Sequence, residues 1–328
     1  MNGKLTCTLL LAVSLLLSAC GGRNTGKSPD AVPALREFPS ANPVPSVITD
    51  PKESFEYMIQ NYWSRFLDPS TAFQCDSNVV NGVPDTDVET AAGLFFTLLE
   101  RPADKTFSIS AMGAFFDMVE KYQEENPSSN VFEYFEQTVT RYLYDPNSPV
   151  RDEDLYLPYV KGLAASPLTD PQMVPAYSYD ASMCSLNRYG TPAADFAFTD
   201  LDGKRHTLYG VRAERILLFF SNPGCNACGE IVDVLCTDET VTSMAGSGRL
   251  AVINIYIDSE LDKWREYATT YPKQWISGYD HTGTIRSDVT YNVRAIPSLY
   301  LLDSGKTVLL KDAPVEKVIA YLHATEQK

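Results

Sequence analysis

Apolar residues recur at helical spacing through the first half of the chain, between residues 50 and 189. Asp50 and Pro51 have the character of a helix N-cap and a first-turn proline. Four stripes of apolar residues then predict four helices, and two more are expected over 155–163, where Pro158 should kink or delay the helix, and around 172–187. Because aromatic residues on such stripes are usually core, we predict an all-helical domain over 50–189 with no visible chemistry. The stripes cover residues 55–66, 88–99, 107–122 and 131–142.

From about residue 190 the pattern becomes mixed, and continuous apolar runs replace the helical stripes. The runs Ile216 to Phe220 and Leu250 to Ile257 predict buried strands. Asp202-Gly203 and Ser304-Gly305 lie between shorter apolar runs and predict two hairpins. Helices are expected over 225–236, 261–271 and 315–323. This order predicts a central sheet flanked by helices over 190–328, so the overall fold class is α + α/β.

The N-terminus has the pattern of an export signal. Lys4 precedes the apolar stretch Leu5 to Leu17, which is too short to span a bilayer core of about 30 Å. The segment ends in Leu17-Ser18-Ala19-Cys20, which resembles a bacterial lipobox. We therefore predict a signal peptide over 1–19 and lipidation of Cys20, with ordinary secretion and cleavage near Ala19 as the alternative. Several acyl chains on Cys20 would give a lasting membrane anchor.

Composition and charge narrow the location and the partners. The formal charge of −15 argues against nucleic acid and against charge-driven binding to anionic lipid, and loss of Lys4 makes the mature chain still more acidic. Residues 20–49 are rich in Gly, Pro, Ser and Asn and predict a flexible, lipid-anchored linker. Gly21 replaces the Asp that resembles an inner-membrane retention signal. We expect a cell-envelope protein at the periplasmic face of the outer membrane.

The seven cysteines of the chain include one closely spaced pair, Cys225 and Cys228. The pair lies between a predicted buried strand and a predicted helix, a position that suggests thiol redox chemistry. Unsatisfied N–H groups at the helix N-terminus should stabilise the Cys225 thiolate and lower its pKa. Cys225 can then attack a disulfide, and Cys228, one helical turn away, can resolve the mixed disulfide.

About seventy residues later, Ala295-Ile296-Pro297 precedes a strand and resembles the cis-proline loop of thioredoxin-like proteins. With the cysteine pair and the strand order, residues 190–328 resemble the membrane-anchored, TlpA-like thioredoxins. The resemblance implies a cis Pro297 beside the cysteines and an Ile296 whose backbone binds an extended substrate. It also implies a protein or peptide disulfide as substrate, an upstream dithiol protein as electron donor and no organic cofactor. It favours reduction over oxidation.

The helical half resembles an uncharacterised domain that precedes thioredoxin-like folds in Gram-negative lipoproteins. The resemblance rests on the segments 142–149 and 187–190, which read YLYDPNSP and NRYG. No biochemical role comes with it, so we interpret the half as a partner-docking or spacing module.

The C-terminal half departs from the thioredoxin pattern at three places. Gly224 occupies the usual Trp position, Phe219 occupies the position of the buried proton-handling Asp, and Asn226-Ala227 separates the cysteines. Glu230 is the nearest carboxylate after the pair and could relay a proton, although a solvated helix face explains it better. These departures leave the direction of electron transfer open.

Three alternatives compete with this interpretation. A zinc site on Cys225, Cys228 and Cys236 fails because Cys236 would lie about 12 Å along the helix from Cys228, and Cys236 is better explained as a buried core thiol. A peroxidase fails because its pattern requires a hydroxyl where Asn222 stands. A lipid-anchored binding or assembly protein with a structural disulfide remains open, and Cys75 and Cys184 could link the halves or remain unpaired.

Overall fold

The computed structural model describes residues 35–102 and 104–326. The predicted signal peptide, the lipidation site Cys20 and the first part of the predicted linker lie outside the described residues. No helix within the described ranges combines the length and apolar character that crossing a membrane requires.

The helical region contains six α-helices and one small hairpin in the described residues. Asp50 caps the first helix as predicted, since its carboxylate accepts the backbone N–H of Glu53 at 2.9 Å. The fifth helix begins two residues earlier than expected and runs continuously past Pro158. The elements are α1 (Pro51–Gln60), β1 (Val79–Val80), β2 (Val83–Pro84), α2 (Asp85–Leu99), α3 (Lys105–Glu125), α4 (Val131–Leu143), α5 (Glu153–Ala165) and α6 (Val174–Cys184).

Aromatic side chains form the centre of this region, which confirms their predicted core role. Trp63 is fully buried and contacts Phe115 and Phe135 with ring centroids 5.1 and 5.0 Å apart. Phe95 packs against Trp63 at 5.7 Å. Such contacts add about 0.5–1.5 kcal/mol per pair to the area they bury.

Residues 36–38 correct the prediction of a flexible linker over 20–49. The Arg36 guanidinium donates to the carbonyl of Asn81 at 2.9 Å and lies 3.7 Å from the Phe73 ring centroid. Phe38 packs edge-on against Trp63 at 5.6 Å. An aromatic and an arginine in a Pro-rich segment therefore extend the helical core, a role that composition does not reveal.

The C-terminal region forms a seven-stranded sheet in the described residues, in the order β4-β3-β7-β6-β5-β8-β9. The sheet with flanking helices confirms the predicted fold class, and both predicted hairpins are present. The strands are β3 (Ala197–Asp200), β4 (Arg205–Thr207), β5 (Arg215–Phe220), β6 (Leu250–Tyr256), β7 (Ile276–Tyr279), β8 (Ser298–Asp303) and β9 (Val308–Leu310), and the helices are α7 (Asn226–Thr237), α8 (Glu239–Gly246), α9 (Leu261–Ala268), α10 (Thr284–Ser287) and α11 (Val315–Glu326).

The central strand β5 pairs with β6 in parallel and with β8 antiparallel, and both its faces are buried. Leu217 and Phe219 face a core shared with α7, α8, α9 and α11. Ile216, Leu218 and Phe220 face the opposite core, which includes Ile285 of α10. A strand buried on both faces explains the continuous apolar run in the sequence. The cysteine pair follows this central strand in the chain, so the pair lies at the end of the middle of the sheet.

Candidate functional site

The cysteine pair lies at the junction of β5 and α7. Cys225 is the N-cap of α7, and its sulfur accepts the backbone N–H of Cys228 at 3.2 Å. The two sulfurs form a disulfide, with Cα atoms 5.2 Å apart. Gly224 has φ +72°, in the left-handed region that disfavours side chains. This backbone explains why a glycine fits where thioredoxins carry Trp.

The two cysteines have different surroundings. Cys225 is half-buried, whereas Cys228 is fully buried among apolar side chains that include Phe219 and Leu299. Phe219 is itself fully buried, and its phenyl side chain has no group that could accept a proton. An apolar setting disfavours the thiolate of Cys228, while the helix N-terminus favours that of Cys225. Of the two sulfur-bearing side chains, that of Cys225 is therefore the more accessible to solvent.

A buried polar group lies in the sheet layer on the same face as Phe219. Asn254, on the β6 position paired with Phe219, donates to the Ser221 hydroxyl at 2.7 Å. That hydroxyl lies 2.8 Å from the Tyr271 hydroxyl, whose pKa is raised by burial. The Oδ1 atom of Asn254 is buried with no hydrogen-bond partner among the described residues. The side of the sheet that carries Phe219 therefore also holds a buried hydrogen-bonded group of Asn254, Ser221 and Tyr271.

The Ile296–Pro297 peptide bond is cis, as the resemblance implies. Ile296 packs against the same core as Cys225. Ile296, Pro297 and Ala227, which lies between the two cysteines, line one open groove of about 390 Å³. The fold therefore places the predicted loop residues Ile296 and Pro297 beside Ala227, which separates Cys225 from Cys228, although neither cysteine itself lines the groove. We name this the junction groove, and its remaining lining is Pro146, Asn147, Arg151, Glu230, Ile231, Val234, Ala295, Pro314, Val315 and Glu316.

Both ends of the cis-proline loop are held by buried charges. Arg294 donates to Glu153 at 2.8 Å, lies 3.2 Å from Asp312 and stacks 4.0 Å from the ring centroid of Tyr144. Ser298, directly after Pro297, donates to the other oxygen of Asp312 at 2.6 Å. Burial alone would lower the pKa of Arg294, but the two carboxylates outweigh it and raise that pKa. The loop is thereby fixed to the first turn of α5.

Two neighbouring carboxylates extend these contacts into an ion network, which we define as Glu153, Asp152, Asp154 and their cationic partners. Asp152 lies 2.7 Å from Lys105 and 2.9 Å from Lys317. Burial opposes ionisation of Asp152, but the two ammonium groups lower its pKa overall. Glu153 and Lys311 are both fully buried and form an ion pair at 2.8 Å. The acidic run at 152–154 therefore caps a helix and also joins the helical region to the sheet region.

The other cysteines of the described residues, Cys75, Cys184 and Cys236, form no disulfide there, so Cys75 and Cys184 do not link the two halves. Cys184 is buried, and burial raises the pKa of its thiol well above the usual range. Cys236 is exposed, which contradicts its prediction as a core thiol. Eight residues after Cys228 it is turned about 80° around the helix, whereas Leu235 is turned only about 20° and faces the core.

A helical region followed by a sheet with a Cys-x-x-Cys pair and a cis-proline loop defines the class of thioredoxin-like proteins. The chain is 31% identical to a thioredoxin-like protein from Bacteroides caccae, whose crystal structure it matches over 89% of this chain and 99% of that one with a TM-score of 0.73. The family described as a domain of unknown function, DUF5106, matches residues 19–182. The chain therefore belongs to the thioredoxin-like proteins, with a DUF5106 domain ahead of the thioredoxin-like fold.

Two further solved structures resemble the C-terminal region. The C-terminal domain of an uncharacterised protein from Bacteroides fragilis is 44% identical over 42% of this chain and 98% of that one, with a TM-score of 0.41. A conserved protein of unknown function from Bacteroides fragilis is 34% identical over 41% and 98%, with a TM-score of 0.41. A comparison with curated proteins finds no match. Membership of the thioredoxin-like family supports a redox role in general terms.

Proposed function

We propose that this protein is a thiol–disulfide oxidoreductase that reduces disulfides of proteins or peptides. One observation carries the proposal: a half-buried Cys225 caps α7 and bonds to a buried Cys228, and Ala227 between them lines one groove with Ile296 and Pro297 of the cis-proline loop. A nucleophile at a helix N-terminus and a resolving thiol one turn away are what disulfide exchange requires.

The exchange proceeds in two balanced steps. The Cys225 thiolate attacks one sulfur of the substrate disulfide, which breaks that bond, forms a mixed disulfide and releases one substrate thiolate. Cys228 then loses its proton and attacks the Cys225 sulfur, which releases the second substrate thiolate and closes the Cys225–Cys228 disulfide. Two electrons pass from the pair to the substrate, and the substrate thiolates take up two protons. A dithiol protein then reduces the pair by the reverse exchange.

The reducing direction and the envelope location belong to the same proposal. The resemblance to TlpA-like thioredoxins supports reduction. The lipobox-like ending at Cys20 and the chain's formal charge of −15 support a lipid anchor rather than charge-driven membrane binding, at the periplasmic face of the outer membrane. Growth with a labelled fatty acid should label the parent protein, whereas Cys20→Ser should take up no label. A parent protein without label would refute the lipid anchor.

Trapping of mixed disulfides tests the enzymatic proposal. In Cys228→Ser the resolving thiol is absent, so substrates should accumulate as mixed disulfides on Cys225, visible on non-reducing gels and identifiable by mass spectrometry. Cys225→Ser should abolish trapping, and Cys236→Ser, which removes an exposed thiol of the same helix, should leave trapping unchanged. If Cys228→Ser traps nothing and Cys225 has the ordinary thiol pKa of about 8.5, the pair is a structural disulfide in a binding scaffold.

A further inference from the structure

The junction groove has walls from both regions of the protein. Ala227, Glu230 and Ile231 come from α7, and Ile296 and Pro297 come from the cis-proline loop. The same groove is lined by Pro146, Asn147 and Arg151, in the connection between α4 and α5 of the helical region. A segment that lies in this groove beside Ala227 therefore meets side chains of the helical region.

The connection that forms this wall is held in one conformation. The Asp145 carboxylate accepts the Asn147 backbone N–H at 2.8 Å, and the Ser148 hydroxyl donates to the Tyr142 carbonyl at 2.6 Å. Arg151 crosses to the sheet region and donates to the Asp312 carbonyl at 3.0 Å. Because Asp312 also accepts from Ser298, beside Pro297, the two walls share one anchoring residue.

The lining combines an apolar floor with an acidic rim. Ile231, Ile296 and Val315 present hydrocarbon, whereas Glu230 and Glu316 are exposed on the rim. Arg151 is the basic residue of the lining, and it is only 15% exposed and lies 3.7 Å from the Asp312 carboxylate. Its charge is therefore compensated, and the two exposed glutamates decide the charge that a ligand meets.

We propose that the helical region is part of the substrate site, and that the junction groove selects an extended, disulfide-bearing segment with an apolar residue next to its cysteine and a basic residue nearby. This inference rests on the proposed function, since the groove matters only if Cys225 exchanges with a bound disulfide. The backbone of Ile296 would pair with the extended segment, the apolar floor would take the neighbouring side chain, and Glu230 and Glu316 would attract the basic group.

Two synthetic peptides test the selection. Each carries one cysteine blocked as a disulfide with the chromophore thionitrobenzoate and an adjacent leucine, and they differ only in a flanking lysine or glutamate. The reduced, full-length protein releases the chromophore in a single turnover, because each cysteine pair is oxidised once, and the peptide concentration that gives half the maximal rate is taken as KM. We expect a lower KM for the lysine peptide, and Glu230→Gln or Glu316→Gln should each reduce that preference about two- to fivefold, the range of an exposed ion pair. Asp233→Asn, the same charge change on an exposed part of α7 outside the groove, should leave the preference unchanged.

A second pair of variants tests whether the helical region contributes to the peptide preference. Asn147→Lys places a positive charge on the groove wall and should shift the preference toward the glutamate peptide. Gln172→Lys is the control, since the Gln172 N–H makes the equivalent turn contact, to the Asp170 carboxylate at 2.9 Å, but its side chain does not line the groove. If Asn147→Lys, Gln172→Lys and the parent protein have equal preferences between the two peptides, the helical region is not part of the substrate site.

The proposed function fails in a different way from this inference. The exposed Cys236 thiol also reacts with aryl disulfides, so release is compared between the parent protein and Cys225→Ser. If Cys225 is not an exchange nucleophile, the two proteins release chromophore at the same rate. If only the groove inference is wrong, the parent protein releases chromophore faster than Cys225→Ser, and both peptides have the same KM. Loss of folding is detected by circular dichroism before any KM is compared.

Discussion

Replacing Glu153 by Gln tests whether the ion network joins the two regions. Glu153 is 1% exposed and contacts Arg294, Asn292 and Lys311 at 2.8, 3.0 and 2.8 Å. Removing one partner of a buried pair costs about 3–5 kcal/mol, because the other charge stays buried and uncompensated. Lys311 keeps two carbonyl acceptors, at 2.9 and 2.6 Å, so we expect the lower end, about 3 kcal/mol.

Urea unfolding followed by tryptophan fluorescence measures this loss. At a slope of about 3 kcal/mol per molar, a loss of about 3 kcal/mol moves the midpoint down by about 1 M. Glu89→Gln is the matched control, since Glu89 lies 2.9 Å from Arg141 in an exposed pair, and we expect it to cost less than about 1 kcal/mol. Lys311→Met added to Glu153→Gln should recover part of the loss, because it removes the unpaired charge. Equal midpoints for the two glutamine variants would refute the reasoning.

Two further predictions concern pH and backbone conformation. Burial alone would raise the pKa of Asp152, but Lys105 and Lys317 lower it overall, so the ionised carboxylate stabilises the fold above the unfolded-state pKa of about 3.9. This stability is lost as the pH falls below that value. Lys317→Met should therefore move the midpoint of acid unfolding to higher pH, and an unchanged midpoint would contradict the pairing. Gly224→Ala should lower the melting temperature, because φ is +72° there. Gly229→Ala should raise it, with a gain of about 0.5–1 kcal/mol in the free energy of unfolding, because Gly229 lies inside α7 with open space at its Cβ position. Calorimetry that shows shifts of the same sign for both variants would refute the difference in backbone conformation.

Local pattern was enough to predict most of the fold, because the elements that it found bury long apolar stripes or runs. The strand β7 was missed for a physical reason. It has only four residues, and Ser277 and Gly278 between Ile276 and Tyr279 interrupt the run of strand-forming residues. Its neighbours impose it: a Cβ on Gly278 would lie 2.5 Å from the Phe198 side chain on the adjacent strand, so only glycine permits this approach. The small hairpin had a readable signal, Asn81-Gly82 between valines, with positive φ at both turn residues.

The candidate site divides in the same way. Cys225 and Cys228 are three residues apart, and their position after a buried strand could be read locally. The anchoring of the cis-proline loop could not, because Glu153 and Arg294 are 141 residues apart and ion pairs leave no periodic trace. The only local sign was an acidic run at a helix start, which N-capping explains equally well.

The buried charges also bear on the role of the helical region. Desolvating Glu153, Asp152 and Lys311 is costly, and apolar residues of similar volume would hold two surfaces together at least as well. Such a network instead restricts the helical region and the sheet region to one relative arrangement, because each charge must meet its own partner. A spacer needs only length, and a docking module needs only its outer surface. Here the arrangement fixes the start of α5 against the loop that precedes Pro297. The junction therefore favours the proposed role of the helical region in substrate binding over the role of a simple spacer.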